Sequence, residues 1–355
     1  MGIYLTDQKI IDTRSSFHEL LNHVFSQNKE LYLEYGKIEY PHLKTYFLES
    51  NYPEDYDLSR NIPKEYKLYK SNEEDFYRLA NKENKNAGFL DTSRGRIWQF
   101  FSLEKSEKSD SFVKKWADNT INLDRCWQSN DTLKKYETEY TFRGIGIKFD
   151  DIFTDYKDRN SLSLKLWTKR GLSEIEDKLY KLVKEEYYRT STRIQEDDSE
   201  DKDPIFLNEI YYDGKVTTTF SKTPDHLFNF NRIFINKYVK LLEIIEDRRG
   251  VFGEPIEILF DRSIDIQKIA NFFTTGKYPF RLLLIKHKEK DDFIGLHGLD
   301  LHTHQPISID IGLDYIWINI PKITCGNAGI RIPTLLGFQI LGKKEIFIGG
   351  EKLFA

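Results

Sequence analysis

The stretch that most constrains the fold is residues 223–250, TPDHLFNFNRIFINKYVKLLEIIEDRRG, which is the best-specified helix of the sequence. Thr223 is a good N-cap, and Pro224 suits the first helical position, where no backbone N–H is needed. Gly250 is a suitable left-handed stop. Apolar side chains recur every three or four residues and therefore share one face: Leu227, Phe230, Phe234, Tyr238, Leu241 and Ile245. Because the flanking segments have strand-like patterns, we expect this helix to pack across a sheet or to join two sheets.

The order of elements around this helix predicts the fold class. Residues 139–250 have the pattern strand-strand-helix-strand-strand-helix, with a capping box of Ser173 and Glu176 in the first helix and a hairpin at Asp213-Gly214. This order predicts an α+β fold with one antiparallel sheet and helices packed on one face. The rest of the chain, from residue 251, is mostly strand and predicts a strand-rich C-terminal domain.

We therefore divide the chain into three predicted segments. Residues 1–138 are a mixed, aromatic-rich N-terminal region, residues 139–250 are the α+β module, and residues 251–355 are the mostly-β C-terminal region. Within the first segment, residues 73–80 have the pattern of one short helix.

Composition narrows the class of protein. The chain has 39% hydrophobic and 31% charged residues and a net charge of −4, which is typical of a globular protein and argues against a chain that is basic throughout. A local basic groove stays compatible with this charge. No secretory signal and no membrane-spanning apolar run is present, and Cys126 and Cys325 are far apart and outside any CxxC motif. We predict a cytoplasmic protein that does not enter a membrane.

Basic and aromatic residues interleave in two predicted strand regions. The first group is Arg94, Arg96 and Trp98; the second group is Arg143, Lys165, Trp167, Lys169 and Arg170. Cationic side chains neutralise phosphates and aromatic rings stack on bases, which is how proteins hold single strands of nucleic acid. The alternative for the first group is a glycine-containing turn that leads into a strand whose tryptophan belongs to the core.

Histidines and acids concentrate in the stretch GLHGLDLHTHQP, residues 295–306. Strand alternation places Asp300, His302 and His304 on one face and His297 on the other. Asp300, His302 and His304 predict a site for a divalent metal, because imidazoles and carboxylates are the ligands of such ions. The alternative is the polar tip of a hairpin. We predict no other cofactor.

The sequence lacks the motifs of common enzymes. It has no G-x-x-x-x-G-K-[ST] loop, no strand-linked G-x-G-x-x-G and no G-x-S-x-G elbow. The bias towards Lys, Ile, Asn, Tyr and Phe is typical of AT-rich prokaryotic genomes. The leading hypothesis is therefore a nucleic-acid-binding accessory subunit without catalysis, with a protein partner in a prokaryotic complex that belongs to antiviral defence. The alternatives are a metal-dependent hydrolase or nuclease that uses residues 300–304, and a structural or interaction protein.

Overall fold

A computed structural model describes residues 11–35, 41–53, 56–154, 157–168, 178, 181, 187–200, 203–276, 278–321 and 325–354. These residues contain six α-helices and two antiparallel sheets, of which one is strand-rich and C-terminal. The predicted α+β class is thereby confirmed. The predicted capping box of Ser173 and Glu176, and the site residues Lys169 and Arg170, lie outside the described residues.

Helices alternate with groups of strands along the described chain. The helices are α1 (Arg14–Tyr35), α2 (Ser106–Asn119), α3 (Asn130–Glu139), α4 (Pro224–Phe252), α5 (Ile266–Phe273) and α6 (Ala328–Gly337). The strands before α4 are β1 (Leu43–Ser50), β2 (Tyr66–Lys70), β3 (Phe76–Asn81), β4 (Asn86–Asp91), β5 (Ile97–Ser102), β6 (Leu123–Arg125), β7 (Thr141–Asp150), β8 (Ser161–Trp167), β9 (Tyr188–Asp197), β10 (Pro204–Tyr211) and β11 (Lys215–Ser221). The strands after α4 are β12 (Ile256–Phe260), β13 (Leu282–Lys290), β14 (Phe293–Asp300), β15 (Gln305–Gly312), β16 (Tyr315–Asn319), β17 (Lys344–Ile348) and β18 (Glu351–Lys352).

The chain forms two compact units that alternate along the sequence. The first unit comprises residues 1–126 and 193–236, and the second comprises residues 127–192 and 237–355. Two of the boundaries fall inside single elements, namely β9 and α4. The division into three consecutive segments stays a prediction.

In the first unit the strand order is β2-β3-β4-β5-β1-β11-β10, and β6 also pairs with β1. Side chains alternate between the two faces of this sheet. On one face Phe100 packs with Phe112 and Trp116 of α2. On the other face Phe101 packs with Phe17 of α1. Neighbouring residues of β5 therefore enter two separate cores.

In the second unit the strand order of the C-terminal sheet is β13-β14-β15-β16-β12-β17-β18. Isoleucines of its strands, such as Ile294, Ile309 and Ile316, are completely buried. The opposite face is partly exposed: Ile285 keeps 59% and Leu283 keeps 51% of its surface accessible. The same unit contains the hairpin of β7 and β8, in which Gly144 pairs with Trp167.

The helix predicted from residue 223 is present as α4, and it begins at Pro224, as expected. Two details differ from the prediction. The buried leucine is Leu242 instead of Leu241. The helix also continues beyond Gly250 to residue 252, and the residue that follows it, Gly253, has a φ of +66°. The left-handed residue after the helix is therefore a glycine, as expected, but three positions later.

Two other segments correct the sequence prediction. Residues 76–81 form strand β3 instead of the helix expected over residues 73–80, because they pair with β2 on one side and β4 on the other. Tertiary pairing overrides local pattern here. Strand β9, over residues 188–197, has no counterpart among the predicted strands.

Candidate functional site

The first unit contains a cavity of about 590 Å³, which is in the size range of small-ligand pockets. Three segments that are distant in sequence line it: the first turns of α1, the region from β3 to β5, and one face of α4. The lining residues are Arg14, Ser15, Phe17, His18, Phe76, Asp91, Ser93, Arg94, Gln99, Phe101, Phe228, Arg232 and Ile235. The three from α4 are spaced by four and three residues, so the helix period alone aims them at the same space.

The charged groups of the cavity are mainly cationic. Arg14 donates to Asp91 through two nitrogens, each at 3.1 Å, and to Glu73 at 3.1 Å. Arg94 and Arg232 are exposed, and neither forms an ion pair within the described part of the chain; Arg232 donates to the Asn229 side chain, at 2.7 Å. Two guanidinium groups are therefore available to an anion from outside.

The carboxylate of Asp91 is fixed in its charged form. Burial would raise the pKa of Asp91, but hydrogen bonds from Arg14 and Ser93 lower it below the ordinary value. Asp91 consequently holds Arg14 in place and contributes one negative charge to the cavity, against the three arginines that line it. The excess of positive charge remains.

Gln99 supplies a buried amide to the cavity. The residue is only 6% exposed, and its Oε1 atom has no hydrogen-bond partner among the described residues. A buried acceptor without a partner costs free energy, about 1–3 kcal/mol. Such a group in the wall of a cavity is what a hydrogen-bond donor on a ligand would satisfy.

Phenylalanines form the apolar wall. Phe17, Phe76 and Phe101 are buried, and the centroid of the Phe17 ring lies 6.0 Å from that of Phe76 and 5.2 Å from that of Phe101. Phe228 is only half-buried, and its ring centroid lies 6.3 Å from that of His18 at an interplanar angle of 30°. A planar ligand that enters the cavity can therefore stack on Phe228.

The structure separates the three predicted residues Arg94, Arg96 and Trp98. Arg94 lies in the turn between β4 and β5 and lines the cavity. Arg96 donates instead to Glu49, which is fully buried, at 2.7 Å. Trp98 is 6% exposed and packs in the core beside α2, so it is not available to stack on a base. The core alternative therefore holds for the tryptophan, because alternation along β5 directs it to the face opposite Gln99.

The second predicted group lies on the hairpin of β7 and β8 in the second unit. Lys165 and Trp167 are exposed, as alternation along β8 predicts, and the Lys165 Nζ lies 5.4 Å from the Trp167 ring centroid. Arg143 is half-buried and precedes the residue that pairs with Trp167. Lys169 and Arg170 lie outside the described residues.

The predicted metal turn does not converge. Asp300 forms an ion pair with Arg331, both of them buried, and also accepts from the backbone N of His302 at 3.0 Å. His302 is fully buried, whereas His304 is exposed, with a φ of +55°. Their ligand atoms are not brought within 4.8 Å of one another as a set. A tight turn over residues 301–304 breaks the alternation on which the prediction depended.

Sequence reasoning missed Arg14, Gln99 and Arg232, which line the cavity. Arg232 carried a weak signal, because it lies on the same helical face as Phe228 and Ile235 and interrupts their apolar run. Gln99 likewise is a polar residue inside the apolar strand IWQFF. Neither signal identifies a cavity without the tertiary fold.

Comparison with known proteins places the chain in a family. Residues 6–339 match the family described as MJECL33-like protein, and the chain belongs to that family. It is 26% identical over 375 residues to a protein of Methanocaldococcus jannaschii that carries the name "Uncharacterized protein MJECL33"; the match covers 91% of this chain and 90% of that protein. No solved structure matches. Among the described residues, no helix has both the length and the apolar character that crossing a membrane requires.

Proposed function

We propose that this chain binds nucleic acid through the cavity of its first unit, as a subunit without catalysis of its own. The observation that carries the proposal is the combination of two arginines without carboxylate partners, a buried amide and a phenylalanine wall around one cavity of the described structure. Phosphate, base edge and base face are the three parts of a nucleotide that these groups recognise.

The arginines provide the phosphate contacts. Arg94 and Arg232 are exposed and free of carboxylate partners within the described residues, so binding a phosphate does not require breaking an internal ion pair. Guanidinium groups suit phosphate because their N–H groups match two oxygens at once. Arg14, which is already held by Asp91, contributes positive charge from a fixed position.

The interior provides the base contacts. The face of Phe228 offers stacking, and stacking of a base on an aromatic ring contributes about 1–3 kcal/mol. The carboxamide of Gln99 can both donate to and accept from a base edge. Because a base inside a duplex cannot enter a cavity, we propose that single-stranded or unpaired nucleotides are the ligand.

The partner and the setting belong to the same proposal. Exposed apolar side chains on one face of the C-terminal sheet, among them Leu283, Ile285 and Trp317, support a protein partner, since such patches mark interaction surfaces. The relative in Methanocaldococcus jannaschii supports a prokaryotic origin, and the protein partner within a complex is our proposal. We propose that this complex is cytoplasmic and, from the composition of the chain, that it belongs to antiviral defence.

The experiment is a fluorescence-anisotropy titration of the full chain with a labelled single-stranded oligonucleotide and with the matching duplex. We expect the single strand to bind more tightly than the duplex. We expect the Arg94→Gln/Arg232→Gln double variant to lose most of the affinity for the single strand. Arg60→Gln is the matched control, because Arg60 is an exposed arginine of the same unit that does not line the cavity. Equal loss in the control, or a preference for the duplex, would contradict the proposal.

A further inference from the structure

A pair of histidines meets on the exposed face of the C-terminal sheet, away from the turn that sequence reasoning selected. His287 lies in β13 and His297 in β14, and their ring centroids are 4.8 Å apart. The register of the two strands shifts between Lys286 and Lys288, which makes His287 the extra residue of a β-bulge. The bulge turns its imidazole over the neighbouring strand.

The residue of β14 that lies beneath the His287 imidazole is a glycine, Gly295. Gly295 of β14 pairs with Lys288 on one side and with Asp310 of β15 on the other. A Cβ atom at Gly295 would lie 2.8 Å from His287 Cε1, 3.1 Å from His287 Nε2 and 3.3 Å from Asp310 Oδ1. The imidazole and the carboxylate therefore reach the same point above the strand, and only glycine leaves room for both.

We propose that His287, His297 and Asp310 bind a divalent transition-metal ion of the zinc class. Two imidazoles and one carboxylate are a common set of protein ligands for Zn²⁺, and imidazole also suits Ni²⁺ and Cu²⁺. Three protein ligands leave a coordination position open for water or for a group from a binding partner.

Completion of the ligand set requires small side-chain movements. As the three side chains lie, their ligand atoms are not all within 4.8 Å of one another. His287 and His297 are both exposed, and Asp310 is half-buried at the sheet surface. Rotation of the His297 side chain about its Cα–Cβ bond is therefore unhindered by a core, in contrast to His302, which is fully buried.

The test is calorimetric titration of the full chain with Zn²⁺ and, separately, with Ni²⁺. We expect one ion per chain, and binding weaker by roughly tenfold or more in His287→Gln and in His297→Gln, because each removes one of three ligands. Asp310→Asn is expected to weaken binding in the same direction. His304→Gln is the matched control, because it removes an exposed imidazole from the turn between β14 and β15 without touching the proposed site.

Gly295→Ala provides a variant that keeps every ligand. Its methyl group would displace His287 from the space above β14, so we expect weaker binding with an unchanged far-ultraviolet circular dichroism spectrum. If this variant does not fold, the three ligand variants still decide the question. Binding within twofold of wild type in both histidine variants, an equal loss in His304→Gln, or no uptake of either ion would overturn the proposal.

Discussion

The cavity of the first unit and the histidine turn of the second unit differ in how distance along the sequence relates to distance in space. The turn is rich in ionisable residues within one short stretch, yet its members separate: Asp300 pairs with Arg331, His302 is buried and His304 faces outward. The cavity collects its groups from three distant segments, and of its lining residues only Arg94 belongs to a pattern that the sequence singles out. Density of reactive residues along a chain is therefore a poor guide to convergence in space.

The difference also lies in how each region satisfies its charges. In the turn, the carboxylate of Asp300 is committed to an internal ion pair and a backbone N–H. In the cavity, Arg94 and Arg232 have no carboxylate partner among the described residues, and the Oε1 of Gln99 has no donor there. Polar groups that are paired within the protein stabilise the fold, whereas polar groups of a cavity that lack an internal partner are available to a ligand. The two regions should therefore respond differently to substitution.

Loss of the buried ion pair should have the greatest consequence. Asp300→Ala leaves Arg331, which is fully buried, without its charged partner, and breaking such a pair costs about 3–5 kcal/mol of the free energy of unfolding. Urea denaturation of the variant measures this loss. Asp291→Ala, at an exposed turn position, is the control and should leave the midpoint nearly unchanged.

The same variant distinguishes a structural from a metal-binding Asp300. If Asp300 is structural, dialysis of the His287→Gln variant against a chelator should not reproduce the destabilisation of Asp300→Ala; this variant is used because it lacks a ligand of the metal site proposed on β13–β15. A comparable destabilisation of His287→Gln by the chelator would restore the metal hypothesis for the turn.

The next effect concerns Gln99, for which stability and binding should move in opposite directions. Gln99→Leu replaces a buried amide, whose oxygen lacks a donor, by an apolar side chain of similar size, so we expect the free energy of unfolding to rise by about 1 kcal/mol. Oligonucleotide affinity should fall about tenfold, since a good contact to a base edge contributes about 1–3 kcal/mol. Parallel urea denaturation and anisotropy titrations measure both. A variant that loses stability would instead identify Gln99 as a structural residue.

Lys44 of the first unit contrasts with the exposed arginines of the cavity, because it is a buried cation that donates to backbone carbonyl oxygens. It donates to the carbonyl oxygens of His42 and Glu104, and burial together with the nearby charge of Lys215 lowers the pKa of Lys44 to about 8. The unfolded chain, in which a lysine titrates at about pH 10.4, therefore binds more protons at this position between these values, and the contribution of Lys44 to stability should rise with pH in that window.

The expected slope from Lys44 is about 1 kcal/mol per pH unit, and Lys44→Met should remove it. The measurement is urea denaturation between about pH 8 and about pH 9.5, below the range in which tyrosines of the unfolded chain begin to ionise. The exposed Lys82 is the matched position, and Lys82→Met should retain the wild-type slope. Identical slopes in wild type and Lys44→Met would show that burial does not lower the pKa of Lys44.

Local sequence determined some of these features and not others. The start of α4 was predictable because Thr-Pro and the three-to-four spacing are local signals, and the exposure of Lys165 and Trp167 followed from alternation alone. Arg96 could not be assigned in this way, because its partner Glu49 is 47 positions away on the paired strand β1. The cavity likewise depends on how α1, β5 and α4 pack, which no local pattern records.

The salt dependence of single-strand binding tests the nucleic-acid proposal most sharply. Each phosphate contact adds about 0.7 to the slope of log K against log salt concentration, so the Arg94→Gln/Arg232→Gln variant should have a slope smaller by about 1.4 than wild type. Arg60→Gln should keep the wild-type slope. A slope that is unchanged in the double variant, or an absence of wild-type binding at low salt, would contradict the claim that the cavity of the first unit holds nucleic acid.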